Sequence, residues 1–199
     1  DRETLIVIDG YHGFMAVPTD LAAIEGRAFY IAGGYKYAMA GEGACFMHCP
    51  PGFGPRPVDS GWYAGFGQLE SGIDEVAYGT DGSRFLGATF DPSGLYRMNA
   101  VLEWLRNEGV GPAEIASHVG GLQERFLDSG AAPGELVPPL PHRTGSFLTF
   151  RTDRAGDLYQ QLHEGGVITD YRRDRLRIGF GVYHDESDVD RLAAAMLEF

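Results

Sequence analysis

Lys36 is the single primary side-chain amine of the chain: of sixteen Lys and Arg positions, the other fifteen are Arg. An ammonium can lose its proton when desolvated and then attack a carbonyl, whereas a guanidinium stays protonated. The lysine lies in Ala32-Gly33-Gly34-Tyr35-Lys36-Tyr37-Ala38-Met39-Ala40-Gly41-Glu42-Gly43. Glycines on both sides let backbone and ligand approach closely, and two tyrosines bracket the amine with hydroxyls. The local string leaves two readings open, a reactive amine or a surface lysine in an arginine-biased chain. Upstream stands Asp9-Gly10-Tyr11-His12-Gly13. It puts a carboxylate at the carboxyl end of an apolar strand, where open α/β sheets bind ligands. The alternatives are an N-cap or Asx-turn for Asp9 and a satisfied loop histidine for His12. Arg177, between Leu176 and Ile178, could give a carboxylate a two-point grip. It could also be an exposed strand arginine, because Arg175 shares its face.

Cys45, His48 and Cys49 invite a metal reading. Structural zinc wants four ligands, and no second Cys/His pair at suitable spacing follows, so no metal is expected. In an extended segment Cys45, Met47 and Cys49 share one face and Phe46 and His48 the other, a pattern that fits a buried strand. Reduced thiols suit a cytoplasmic protein.

The elements that must hold these residues follow from periodicity. Thr4 to Ile8 is a continuous apolar run and reads as a buried strand of a parallel sheet. Phe29 to Ala32 and Ala44 to His48 are two further runs, spaced too widely for hairpins, which suits an α/β layer. Leu95, Met98, Leu102 and Leu105 define a helix starting at Ser93 and stopped by Gly109. Ile115, Val119, Leu122 and Phe126 define another, with Pro112 near its start. Gly130 to Pro141 reads as a loop. Then come a strand at Ser146 to Arg151, a helix at Ala155 to His163, and strands at Val167 to Tyr171 and Leu176 to Gly181. A last helix is capped by Asp185 and Ser187 and turns Val189, Leu192 and Met196 inward.

A hydrophobic share of 44% supports a real core, and a net charge of -12 argues against nucleic acid and anionic membrane partners. No run of about 18 apolar residues predicts a membrane span. The N-terminus, Asp1-Arg2-Glu3-Thr4, lacks Met and leads straight into a strand, so a longer parent protein is expected. The glycines around Lys36 are no P-loop, because Tyr37 follows the lysine where Ser or Thr is needed.

Taken in order, the motifs are Asp9-x-x-His12, Pro18-x-Asp20-Leu21, and Tyr35-Lys36-Tyr37 followed by Gly41-x-Gly43. Further on come Gly61-Trp62, Arg84-Phe85 with Thr89, Arg143 with Gly145-Ser146, Gly166-Val167-Ile168, Asp170-Tyr171-Arg172, and Leu176-Arg177-Ile178-Gly179-Phe180. The series resembles the class V aminotransferase superfamily of pyridoxal-phosphate enzymes, fold type I, and among them kynureninases most. The resemblance covers nearly the whole chain as the C-terminal portion of such an enzyme. It implies an α/β fold in which residues 1–92 complete a large cofactor-binding domain, 93–109 form a connecting helix and 110–199 a small α+β domain.

The resemblance also assigns roles around pyridoxal 5'-phosphate. Lys36 would form the Schiff base and then move protons at the substrate's α-carbon. Asp9, as a buried carboxylate, would keep the ring nitrogen protonated. His12 would pack near the ring, Tyr35 would donate to the phosphate, and Thr89 would reach the phosphate across a homodimer interface. Trp62 joins the cofactor contacts and, with Tyr63, the pocket lining, although aromatics of this kind are more often core. Arg177 becomes the clamp for the carboxylate of an amino-acid substrate, and Asp170 with Arg172 reads as a structural ion pair.

Three departures from the family matter. The N-terminal half that grips the phosphate and stacks on the ring has no counterpart, so the piece alone is expected not to bind the cofactor tightly. The histidines that kynureninases place after Gly-Trp-aromatic-Gly and after Gly-Ser are absent, where Ala64-Gly65-Phe66 and Phe147 stand. Cysteine desulfurases carry their nucleophile in a later loop, whereas both cysteines here fall just after Lys36. The reaction therefore stays open between transamination and kynureninase-like C–C lysis. A catalytically incomplete homologue serving as a folding or interaction module is the alternative.

Overall fold

The computed structural model describes residues 4–69, 77–139 and 145–198; Arg143 lies outside them. The chain divides into two compact units, Asp1–Phe14 with Thr19–Gly109, and Met15–Pro18 with Val110–Phe199.

The first unit holds a three-stranded sheet, β1 (Val7–Asp9), β2 (Phe29–Gly33) and β3 (Cys45–His48), in that order. β1 and β2 are parallel, from Val7↔Phe29 to Asp9↔Ile31. β2 and β3 are antiparallel, from Tyr30↔His48 to Gly33↔Cys45. Two expectations need correction here. Of the apolar run at Thr4 to Ile8, only Val7 and Ile8 are strand, although the Ile6 carbonyl already accepts the Phe29 N–H, and Leu5, Ile6 and Val7 are exposed. Among the described residues β1 pairs with β2 alone, and a hydrophobic run is buried only where something covers it. In β3 the face of Cys45 and Met47 is likewise exposed rather than buried. Two 3-10 helices follow, Trp62–Gln68 and Gly82–Phe85. Then α1 (Ser93–Asn107) runs to Gly109, whose φ of +71° is the left-handed stop that glycine supplies.

The second unit contains α2 (Pro112–Asp128), β4 (Glu135–Leu136), β5 (Phe147–Arg151), α3 (Ala155–Glu164), β6 (Asp170–Arg172), β7 (Arg175–Gly179) and α4 (Glu186–Leu197). Its sheet is antiparallel in the order β4-β5-β7-β6. Strand alternation turns Leu148, Phe150, Leu176 and Ile178 inward. They pack against Ile115, Val119, Leu122 and Phe126 of α2 and Val189, Leu192 and Met196 of α4. Glu114 accepts the Gly111 N–H at the start of α2, and Asp185 accepts the N–H of Ser187 and Asp188 at the start of α4. The stretch expected as a loop from Gly130 carries the two-residue β4. The strand expected at Val167 begins only at Asp170, where pairing with Arg177 starts.

Among the described residues no helix is long and apolar enough to cross a membrane. No group of three or more His, Cys, Asp or Glu side chains there could hold a metal.

Candidate active site

Because β1 and β2 run the same way, their carboxyl ends meet at one edge of the sheet. β1 ends on Asp9, which is solvent-exposed here rather than buried. Its Oδ1 accepts the N–H of Tyr11 at 3.0 Å, the Asx-turn that lets the chain reverse after the strand. Gly10 still extends the ladder, donating to the Ile31 carbonyl at 2.8 Å. The turn is closed by N–H groups of Gly13 and Phe14 on the Gly10 carbonyl, and His12 rides on it.

At the neighbouring end of β2 the Lys36 loop is tightly bound. Gly34 donates to the Ala44 carbonyl at 2.8 Å and accepts from Ala40 at 2.7 Å, while Met39 donates to the Lys36 carbonyl at 3.0 Å. Any Cβ at Gly34 would lie 2.9 Å from the Ala40 Cβ and 3.0 Å from the Met98 sulfur, so the loop can close this tightly only on glycine. Arg97 of α1 donates to the carbonyls of Ala40 and Glu42 and ties the far side of the loop to the helix. Lys36 Nζ then lies 2.7 Å from His12 Nε2 and 5.5 Å from the centre of the Tyr35 ring. An ammonium donates to a bare Nε2, whereas a neutral amine accepts from Nε2–H, so the pair can share a proton.

Tyr11 forms a wall that the sequence did not announce. Its hydroxyl donates to Cys45 Sγ at 3.1 Å, and its ring crosses Gly33, where a Cβ would lie 2.6 Å away. The Cys45 hydrogen bond, aided by burial, pushes the Tyr11 phenol up to about 12, so it stays a donor. Its ring stands 5.6 Å from that of Tyr35. Burial raises the phenols of Tyr30 and Tyr37, the former helped by the charge of Asp9.

The other expected residues stand on later segments of the chain. Trp62 opens the first 3-10 helix, half-exposed, in an aromatic cluster with Tyr63 and Phe66 at ring distances of 5.5 and 5.7 Å. A cavity of about 240 Å³ lies beside them, lined by Tyr63, Phe66, Ser83 and Leu86 among others. Thr89 is exposed. Neither Trp62 nor Thr89 hydrogen-bonds to Asp9, His12, Tyr35 or Lys36 among the described residues. Upstream of Thr89, Arg84 is only 3% exposed and spends its guanidinium on the carbonyls of Pro50, Phe53, Gly54 and Asp81. Arg84 and Arg97 hold loops through contacts that nothing local in the sequence signals; each reaches more than 30 residues back along the chain. Arg177 belongs to the second unit, where its Nη1 donates to Asp170 Oδ2 at 3.3 Å and its guanidinium lies 5.2 Å from the Phe147 ring centre.

Residues 129–196 match the family model of the kynureninase C-terminal domain. The apo cysteine desulfurase from Thermococcus onnurineus NA1 is similar at a TM-score of 0.80 and 15% identity, covering 98% of this chain and 52% of that one. Cysteine desulfurase CsdA from Escherichia coli is similar at 0.79 and 20%, with the same coverage. The fold is that of the C-terminal part of fold type I pyridoxal-phosphate enzymes. The resemblance to the C-terminal portion of the class V aminotransferase superfamily is thereby borne out. The C-DES variant with glycine covalently linked to its PLP cofactor shares this fold at a TM-score of 0.72 and 17% identity, over 94% of this chain and 50% of that one. No curated protein matches the chain by sequence. The chain spans about half the length of each of these solved structures.

The donor set at the sheet edge fits the cofactor of that fold: a lone primary amine for an aldehyde, a carboxylate for a ring nitrogen, and an imidazole and a phenol beside them. Tyr11 and Arg97 were missed in the sequence. A motif-internal aromatic opposite a glycine, Tyr11 opposite Gly33, is the one signal that could have found the first.

Proposed function

We propose that this chain is the C-terminal part of a pyridoxal-phosphate-dependent enzyme of the class V aminotransferase type acting on an amino acid. The 2.7 Å approach of Lys36 Nζ to His12 Nε2, at the sheet edge where β1 ends on Asp9, carries this reading. Pyridoxal phosphate, when bound, supplies the electron sink that lets a bond at the α-carbon break. The chain's own groups do the rest. Lys36 is the amine that would carry the cofactor, and its Nζ then takes and returns a proton at the substrate's α-carbon. His12 accepts or supplies that proton at Nε2. Asp9 would hold a proton on the ring nitrogen; its Oδ1 is engaged by the Tyr11 N–H, which orients the carboxylate. Tyr35 would donate to the phosphate, Trp62 would border the cofactor, and Thr89 would reach the phosphate of a partner subunit in a homodimer. Arg177 takes the substrate carboxylate. The reaction is transamination or kynureninase-like C–C lysis: the match of residues 129–196 to the kynureninase C-terminal domain favours lysis, and the missing histidines near Gly65 and at Phe147 weigh against it. Two free thiols suit a reducing compartment such as the cytoplasm.

The test is a pyridoxal 5'-phosphate titration of the full-length protein followed by a panel of amino acids, kynurenine included. Turnover should vanish in Lys36→Ala and fall about a hundredfold or more in Asp9→Asn, with cofactor still bound in the latter. Unchanged turnover in Lys36→Ala would rule the reading out.

A further inference from the structure

Asp170 and Arg177 face each other across the β6–β7 ladder. Asp170 lies closer to Arg177 than to Arg172, its partner expected from the sequence: 3.3 Å against 3.8 Å. Arg125 provides an internal standard for what an arginine does when its whole fork is used. Its Nε and Nη2 each meet one oxygen of Asp190 at 2.8 Å, and its Nη1 lies 3.1 Å from Glu186. Arg177 instead gives Asp170 one nitrogen, at a longer distance. Among the described residues its other contact is the Phe147 ring, 5.2 Å from the guanidinium carbon. One nitrogen is tied and the plane is backed by a ring, while the remaining N–H groups keep their capacity for a second, two-point partner. An arginine side chain otherwise loses much rotamer freedom when it grips a ligand. Two fixed contacts remove that freedom in advance.

We propose that Asp170 is a positioning residue: it anchors Arg177 on one side so that the open edge of the guanidinium meets the substrate's α-carboxylate. The inference rests on the reading of Arg177 as the carboxylate-binding residue, and makes Asp170 more than the partner of Arg172.

The test uses full-length, cofactor-loaded protein and two probes, L-alanine and L-alaninamide, which differ in the carboxylate alone. Half-saturation is read from the absorbance of the bound cofactor. Wild type should prefer L-alanine. Asp170→Asn should weaken L-alanine about tenfold and leave L-alaninamide unchanged, and Asp170→Ser should do the same. Arg177→Gln should abolish the preference. Equal weakening of both probes, no change, or tighter L-alanine binding in both Asp170 variants would overturn the role of Asp170 while the reading of Arg177 stands. A preference that survives Arg177→Gln would overturn that reading and the inference with it. In cofactor-free protein, phenylglyoxal modification followed by peptide mass spectrometry supplies an independent readout. Asp170→Asn should speed modification at Arg177 severalfold and leave Arg125 unaffected. A rise at both arginines, or at neither, counts against the proposal.

Discussion

The second unit buries large side chains at its centre, Phe126, Phe150, Leu148, Leu162 and Ile178, whereas the first buries mostly alanine: Ala32, Ala38, Ala40, Ala44 and Ala64. Large exposed hydrophobics are distributed the other way. Leu5, Val7, Trp62, Phe66, Tyr96 and Trp104 all lie open in the first unit. The second unit is thus held by side-chain mass, and the first by close backbone approach and by arginines that reach carbonyls. Alanine and glycine let Tyr11 cross β2 and let the Lys36 loop close on itself. The same small residues leave less apolar area buried, so the unit that carries the proposed chemistry has the thinner core. Its uncovered apolar surface is the kind that marks an interaction site.

Substitutions can break this contrast. Phe126→Ala should cost the second unit about 3–5 kcal/mol, because a ring with no exposure is lost from a filled core. Trp62→Ala, at a half-exposed site, should change stability by no more than roughly 0.5 kcal/mol. Urea unfolding measures both. An equal cost would show that the first unit leans on its aromatics after all. Next in size is Arg84→Met, which keeps the volume and takes the guanidinium from the carbonyls of Pro50, Phe53, Gly54 and Asp81, of which Pro50 and Asp81 keep a backbone N–H from Phe53 and residue 84. It should cost roughly 3 kcal/mol. Both tryptophans, Trp62 and Trp104, lie in the first unit, so tryptophan fluorescence follows its unfolding selectively. A loss below about 1 kcal/mol would mean that water replaces the guanidinium. The smallest effect sharpens the second unit. Arg173 sits at φ +56° in the turn between β6 and β7, a left-handed conformation that costs a side chain free energy. Arg173→Gly should therefore stabilise by up to about 1 kcal/mol in thermal unfolding; destabilisation would mean that the side chain contributes more than the turn costs.

The second unit was the more legible in sequence for the same reason. Ile115, Val119, Leu122 and Phe126 repeat at helical spacing because one face must meet the core, and all four are buried. Val189, Leu192 and Met196 behave likewise, as does the Asp185 cap. The Thr4 to Ile8 run shows the limit of such reasoning. Apolar character states what a strand needs, not what covers it. β4, with two residues, is too short to carry a period. At the candidate site, residue types and resemblance pointed to Asp9, His12 and Lys36. The local alternative for Asp9 operates as well, since its carboxylate caps the Tyr11 N–H. Contacts that join distant segments were not readable: Tyr11 on Cys45, Arg97 on the Lys36 loop, and Arg84 on four carbonyls.

Lys36 is proposed as the amine that carries the cofactor, and every other role at the site depends on that assignment. Its most direct test is borohydride reduction of the full-length protein after incubation with pyridoxal 5'-phosphate, with peptide mapping by mass spectrometry. One pyridoxyl group, fixed on Lys36, is expected. A protein that binds the cofactor yet returns Lys36 unmodified would contradict it.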